Sequence, residues 1–168
     1  MPKNDPDLQS AINTLRNIRA SEGLGKELYE AVSRLTPSVS VELIIKCPNE
    51  NRTLLVWRDD GLYGPGWHIP GGVVRFKETM EARALLTLKN ELGLANTKIP
   101  EPIGLHEIFN AQRDVRGHFL SIVFKIILDE PLNAKLESGP NPVEGHWKWF
   151  RNCPPNLIKN QEVLRGYI

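Results

Sequence analysis

Residues 66–94 read GWHIPGGVVRFKETMEARALLTLKNELGL, and the change of period inside this run decides the fold. Pro70, Gly71 and Gly72 make a turn in which glycine allows close approaches that a Cβ would block, so an exposed carbonyl there can meet a ligand. From residue 79 to 92 the spacing becomes helical. Met80, Ala84 and Leu88 form an apolar stripe, Gly93 stands as a stop beyond the last turn, and Arg83, Thr87 and Glu91 recur on another face. A carboxylate on a last turn meets the unfavourable end of the helix dipole, so Glu91 beside a cleft calls for a cation. Mg²⁺ suits oxygen ligands, commonly one or two carboxylates with substrate phosphates, and Glu91 with the Gly71 carbonyl would make half of such a site. The bland alternative is a solvated helix-end carboxylate.

Outward from this run the strands declare themselves by alternation. Val39, Val41, Leu43 and Ile45 recur at period two and predict a half-buried strand, and PNENR at 48–52 turns the chain into a partner strand, TLLVW. Beyond the helix, residues 100–109 read as extended and GHFLSIVFKIIL at 117–128 as a long strand buried on both faces near its end. ESGPNPVEG at 137–145 is a loop, HWKWF a short strand, and residues 154–168 a closing helix after two prolines. Toward the N-terminus, Leu8, Ile12, Leu15 and Ile18 predict a helix started by Asp5 and Pro6. A second holds Leu28, Val32 and Leu35, with SEGLG breaking the pattern between them. The expected class is α/β, a mixed β-sheet sandwiched between helices, with an N-terminal helical extension over 1–36 and the main domain over 37–168.

Composition excludes several partners. With 168 residues the chain has length for one domain and a substantial core. Lys and Arg number 21 against 20 Asp and Glu, so no basic field points to polynucleotide or to an anionic membrane. Cys47 and Cys153 lack metal-like spacing, the start MPKNDPDLQS lacks an apolar signal core, and the stretch around 119–128 is interrupted by Ser121 and Lys125. The expectation is a soluble, cytoplasmic protein.

The run 66–94 resembles a depleted Nudix box. The family pattern is Gly, five residues, Glu, seven residues, Arg-Glu, an aliphatic, any residue, Glu-Glu, any residue, Gly and an aliphatic. Gly72, Glu78, Leu88, Glu91, Gly93 and Leu94 fall in register, whereas Leu86 and Thr87 replace Arg-Glu and Asn90 replaces the first paired glutamate. The likeness covers about residues 38–150 and implies the Nudix fold. Within the family the box is most similar to that of the GDP-mannose mannosyl hydrolases, which are depleted at the same places.

That resemblance implies a set of site residues. Mg²⁺, with Mn²⁺ as an alternative, is held by Glu91, by the Gly71 carbonyl and by a residue of the VEGH segment, here Glu144. Arg58 takes the place of an arginine that neutralises the departing diphosphate, a role suited to its planar fork. The second phosphate arginine of the subfamily falls at Val73, with Arg75 a candidate substitute. Glu144 or His146 would activate water. Glu42 and Phe119 match substrate contacts, and Trp57, Trp67 and Tyr63 could stack on a base or simply pack. For Arg58 and His146 the alternatives are an exposed strand-end cation and a hydrogen-bonded strand histidine.

The implied function is Mg²⁺-dependent hydrolysis of a nucleoside diphosphate linked to a sugar or similar group. Water would attack the anomeric carbon if the mannosyl hydrolase likeness holds, and phosphorus if the chain is an ordinary Nudix pyrophosphatase. The alternative from another class is a non-catalytic nucleotide-sugar sensor, motivated by the three lost box residues. The partner is a small nucleotide derivative, and the N-terminal helices either cover the domain or pair in a homodimer.

Overall fold

The computed structural model describes residues 5–61, 63–95, 98–99, 101–128 and 130–168. Among the described residues seven strands form one mixed sheet: β1 (Ser38–Lys46), β2 (Thr53–Arg58), β3 (Gly66–His68), β4 (Gly71–Val73), β5 (Pro102–Phe109), β6 (His118–Ile127) and β7 (Trp147–Phe150). The main order is β3-β2-β1-β6-β5, with β4 on β1 and β7 on β2. β1 runs parallel to β6 and antiparallel to β2 and β4. That central position corrects the half-buried expectation: Ser40 through Ile45 are buried on both faces.

Side-chain alternation along β1 divides the core in two. Val41, Leu43 and Ile45 meet Ala84, Leu88 and Leu92 of α3 (Met80–Leu92) on one face. Ile44 joins Leu55, Trp67, Ile69 and Val123 on the other, where Leu157 and Leu164 of the C-terminal segment close over them. Thr79 caps α3 by accepting from the amide of Ala82, and Gly93 ends it in the left-handed conformation, as its position in the sequence predicts. Met80, at the open end of the expected stripe, is 40% exposed.

Three further expectations are corrected. The closing helix is a 3-10 helix over Lys159–Tyr167, because residues 156–158 use their backbone on the sheet: Trp67 N donates to Asn156 O and Ile158 N to Trp67 O. The end of β6 is not buried on both faces. Val123 is its last residue in the second cluster, and Lys125 and Ile127 point outward. α1 (Pro6–Arg16) forms with Asp5 as its cap, but α2 (Lys26–Val32) stops before Leu35, which is 82% exposed, since Pro37 disfavours helix in the residue before it. β5 begins at Pro102, and the predicted extended start at Pro100 lies outside the described residues. No residue of α1 or α2 is buried, and among the described residues no helix is long and apolar enough to cross a membrane.

Candidate active site

The glycine turn is pinned from both sides. Pro70 O accepts from Leu43 N at 2.8 Å, and Gly71 and Gly72 pair with Glu42 and Val41 of β1. A Cβ on Gly71 would stand 2.5 Å from Glu42 Oε2 and 2.8 Å from Val41 O; one on Gly72 would stand 2.9 Å from both Arg83 Cδ and Thr87 Oγ1. The absence of side chains lets the turn lie between β1 and α3, where it meets carboxylates from each.

On the α3 side, Glu91 Oε1 accepts from Gly71 N at 3.2 Å and Oε2 lies 3.1 Å from His68 Nε2. The turn therefore offers Glu91 an amide donor, a contact the expected carbonyl role did not include. Glu91 shares a recess of about 290 Å³ with Arg58, His68, Gly71, Asn90 and Glu144. Glu144 is exposed and accepts a hydrogen bond from Asp59 N through Oε2. Arg58 is gripped by Asp60, with Nε 2.7 Å and a terminal nitrogen 2.6 Å from Oδ2, and lies over the Tyr63 ring.

On the other side of the turn, a cleft of about 140 Å³ is lined by Ser40, Glu42, Arg58, Tyr63, Phe119 and Gln161 among others. Arg58, His68 and Gly71 line both spaces. Glu42 is buried, and its carboxyl is pushed up to about 8, first by burial and then by the charge of Glu91, against the opposing bonds from Gln161 and Ser40. Gln161 Nε2 donates to Glu42 Oε2 at 2.7 Å and to Ile69 O at 2.9 Å, while its Oε1 accepts from Ile69 N at 2.7 Å.

The structure thus brings Glu42, Arg58, Gly71, Glu91, Phe119 and Glu144 to two adjoining recesses. His146 lines neither; its backbone carbonyl accepts from Trp57 N, and its buried Nδ1 has no hydrogen-bond partner among the described residues. The remaining box residues build the frame. Leu88 and Leu94 are core, and Glu78 bonds Arg75 N and Arg83. Burial opposes the charge on Glu78, yet those bonds hold its carboxyl below the ordinary carboxylate range. Trp57 and Trp67 pack edge to face in the core beside Phe150 rather than lining either recess.

Sequence reading missed His68, Gln161 and Arg116. His68 alternates with Trp67 two residues ahead of Pro70, a signal that it faces α3. Gln161 belongs to no motif. Arg116, in the RDVRGH stretch before β6, lines the smaller cleft and was legible only as a basic loop residue.

These recesses contain oxygen donors and cations suited to a divalent ion and a phosphorylated ligand. Among the described residues no three His, Cys, Asp or Glu side chains are grouped to hold a metal by themselves. Two carboxylates are nevertheless the usual protein share for Mg²⁺, which keeps water and phosphate oxygens as its other ligands.

Comparison with known proteins agrees with this architecture. The family model for the NUDIX domain matches residues 37–155. The ADP-ribose pyrophosphatase of Methanocaldococcus jannaschii is 31% identical over 134 residues, which cover 80% of this chain and 75% of that protein. The low-salt glycan biosynthesis protein Agl8 of Haloferax volcanii is 33% identical over 106 residues, covering 61% of this chain and 66% of its own. Among solved structures, a MutT NUDIX hydrolase from Burkholderia pseudomallei superposes with a TM-score of 0.57 at 20% identity, covering 79% of this chain and 98% of that one, a likeness of fold. The family match over most of the chain and the M. jannaschii relative show that the chain belongs to the Nudix hydrolase family.

Proposed function

We propose that the chain is a Mg²⁺-dependent hydrolase of a nucleoside diphosphate linked to a sugar or similar group. The observation that carries this reading is the Glu91 carboxylate, held between the Gly71 amide and His68 in a recess it shares with Glu144 and Arg58. Glu91 and Glu144, with the main-chain carbonyl of Gly71, would hold the ion, and this all-oxygen donor set fits Mg²⁺. When bound, Mg²⁺ supplies charge neutralisation to the diphosphate.

The protein's own groups supply the rest. The fork of Arg58 binds the diphosphate and disperses the charge that builds as it departs. Glu42 and Phe119 line the adjoining cleft and orient the group on the far side of the bond. Glu144 takes the proton of the attacking water. In attack at the anomeric carbon, the water oxygen forms the new bond to carbon, the carbon–oxygen bond to the diphosphate breaks, and the nucleoside diphosphate leaves with that electron pair. The depleted α3, which brings one carboxylate to the recess, favours this route. The pyrophosphatase name of the M. jannaschii relative favours attack on phosphorus instead, and the name of the H. volcanii relative is in keeping with a sugar-bearing substrate.

The test is a panel of nucleoside diphosphate sugars, ADP-ribose, dinucleotides and nucleoside triphosphates incubated with Mg²⁺ in oxygen-18 water. Label in the released sugar is the expected result. Label in phosphate would move the attack to phosphorus, and binding without product from any compound would replace the enzyme with a sensor.

A further inference from the structure

A groove of about 920 Å³ lies beside the 140 Å³ cleft, and the two share Val73 and Arg116 as lining. One wall is β4 and the segment after it; the other comes from residues 20–36, which precede the 37–155 family match. One wall of the groove therefore lies outside the matched domain and the other within it. Its lining carries Lys26, Arg75, Lys77, Arg83 and Arg116 and no acidic residue. Glu78 neutralises Arg83, while among the described residues Lys26, Arg75, Lys77 and Arg116 make no salt bridge.

Arg116 is fixed at the seam. Its amide donates to Ser33 Oγ at 2.9 Å, its carbonyl accepts from the Tyr63 hydroxyl at 3.1 Å, and its guanidinium lies 5.4 Å from the Tyr29 ring centre and 5.1 Å from that of Tyr63. The residue is thereby tied to the N-terminal extension on one side and to the cleft on the other. A cleft of 140 Å³ is small for a whole nucleotide derivative, whereas the groove has the size of a ligand pocket. Lys26, Lys77 and Arg116, which make no salt bridge among the described residues, and Arg75, whose charge acts on Glu78 without a salt bridge, stand beside the aromatic faces of Tyr29 and Phe76 and suit phosphate oxygens.

We propose that this groove is a phosphate-binding subsite, taking a chain of phosphates that continues from the diphosphate held at Arg58. The inference rests on reading the Arg58 recess as diphosphate-binding and extends the substrate class to ligands with a longer or second phosphate-bearing end. Arg116 is the contact common to both spaces, and the N-terminal extension is a wall of the subsite.

The probe is inorganic tripolyphosphate, titrated calorimetrically without metal into the full chain, into the triple variant K26Q/R75Q/K77Q and into R58Q. The three groove residues are exposed, so the fold survives their replacement. Tripolyphosphate should bind the triple variant at least about tenfold more weakly than the parent, and R58Q, which removes only the adjoining contact, should weaken binding less than the triple variant does. Equal affinity in the triple variant, loss confined to R58Q, or no binding to the parent would overturn the proposal. A dinucleoside tetraphosphate titrated in parallel separates the sources: weakening in the triple variant assigns the groove to the substrate's own phosphates, and indifference beside weakened tripolyphosphate assigns it to free inorganic phosphates. Because binding is read without turnover, failure of the hydrolase reading leaves this result distinguishable.

Discussion

His68 Nε2 stands 3.1 Å from Glu91 Oε2 while Nδ1 stands 2.9 Å from the carbonyl oxygen of Val56, so one ring links β2 to the carboxylate at the end of α3. With its hydrogen on Nε2 the ring donates to the Glu91 carboxylate, and the Val56 contact fixes the plane of the ring. His68 is thus a positioning residue for Glu91. Replacing it with Ala should lower turnover about 10–100-fold, the usual cost of losing the partner of a ligand, with the loss in kcat rather than in KM. His68→Gln, which restores a donor toward Glu91, should recover part of the rate. Equal loss in both variants, accompanied by a matching fall in thermal stability, would reduce His68 to a packing role.

The buried Glu42 gives stability a pH dependence of unusual sign. Its carboxyl titrates at about 8 in the folded chain against 4.5 when unperturbed, because burial and the nearby Glu91 charge oppose ionisation. The folded state holds this proton more tightly, so the contribution is fully present below 4.5, declines as pH rises through the window to 8, and is gone above it. The loss across that window is on the order of 5 kcal/mol. Glu42→Gln, an uncharged isostere that keeps a carbonyl for Gln161 Nε2, should flatten the melting temperature between pH 5 and 9 in metal-free buffer; curves for the two proteins that run parallel would contradict the assignment.

Gly71→Ala sets a Cβ against Glu42 Oε2 and the Val41 carbonyl, the second of which is backbone and cannot swing away. The expected cost is about 1–3 kcal/mol. For a chain of this size that lowers the melting temperature by about 2–4 °C per kcal/mol. An unchanged melting temperature would mean that the turn is not clamped between β1 and α3.

Arg58 is aimed by Asp60 and by the Tyr63 ring, and its fork is what a lysine lacks. Arg58→Lys keeps the charge and should lower kcat/KM about tenfold or more if paired contacts to the diphosphate are made in the transition state. Kinetics indistinguishable from the parent would show that Arg58 acts only as a diffuse charge.

Much of this architecture was legible because it follows from local periodicity. The alternation of Val39, Val41, Leu43 and Ile45, the helical spacing after Thr79 and the glycine that stops α3 each rest on neighbours within a turn or two of chain. The glycine turn and Glu91 were readable for the same reason, lying 20 residues apart on one continuous motif. What stayed hidden depends on contacts between remote segments. Gln161 reaches Glu42 across 119 residues, and the amide that Asp59 offers Glu144 spans 85. The closing segment carries helical periodicity, but its backbone is drawn onto the edge of β3, a competition that no local pattern reveals. Likewise β1 shows a period of two although its central place buries both faces.

The central claim is that Glu91 holds a divalent ion at the glycine turn, and Mn²⁺ binding followed by electron paramagnetic resonance, with ADP-ribose present and absent, tests it without depending on which substrate is turned over. The parent should bind Mn²⁺ more tightly with the nucleotide present, and Glu91→Gln should weaken that binding at least about tenfold. Mn²⁺ affinity unchanged by Glu91→Gln under both conditions would contradict the account.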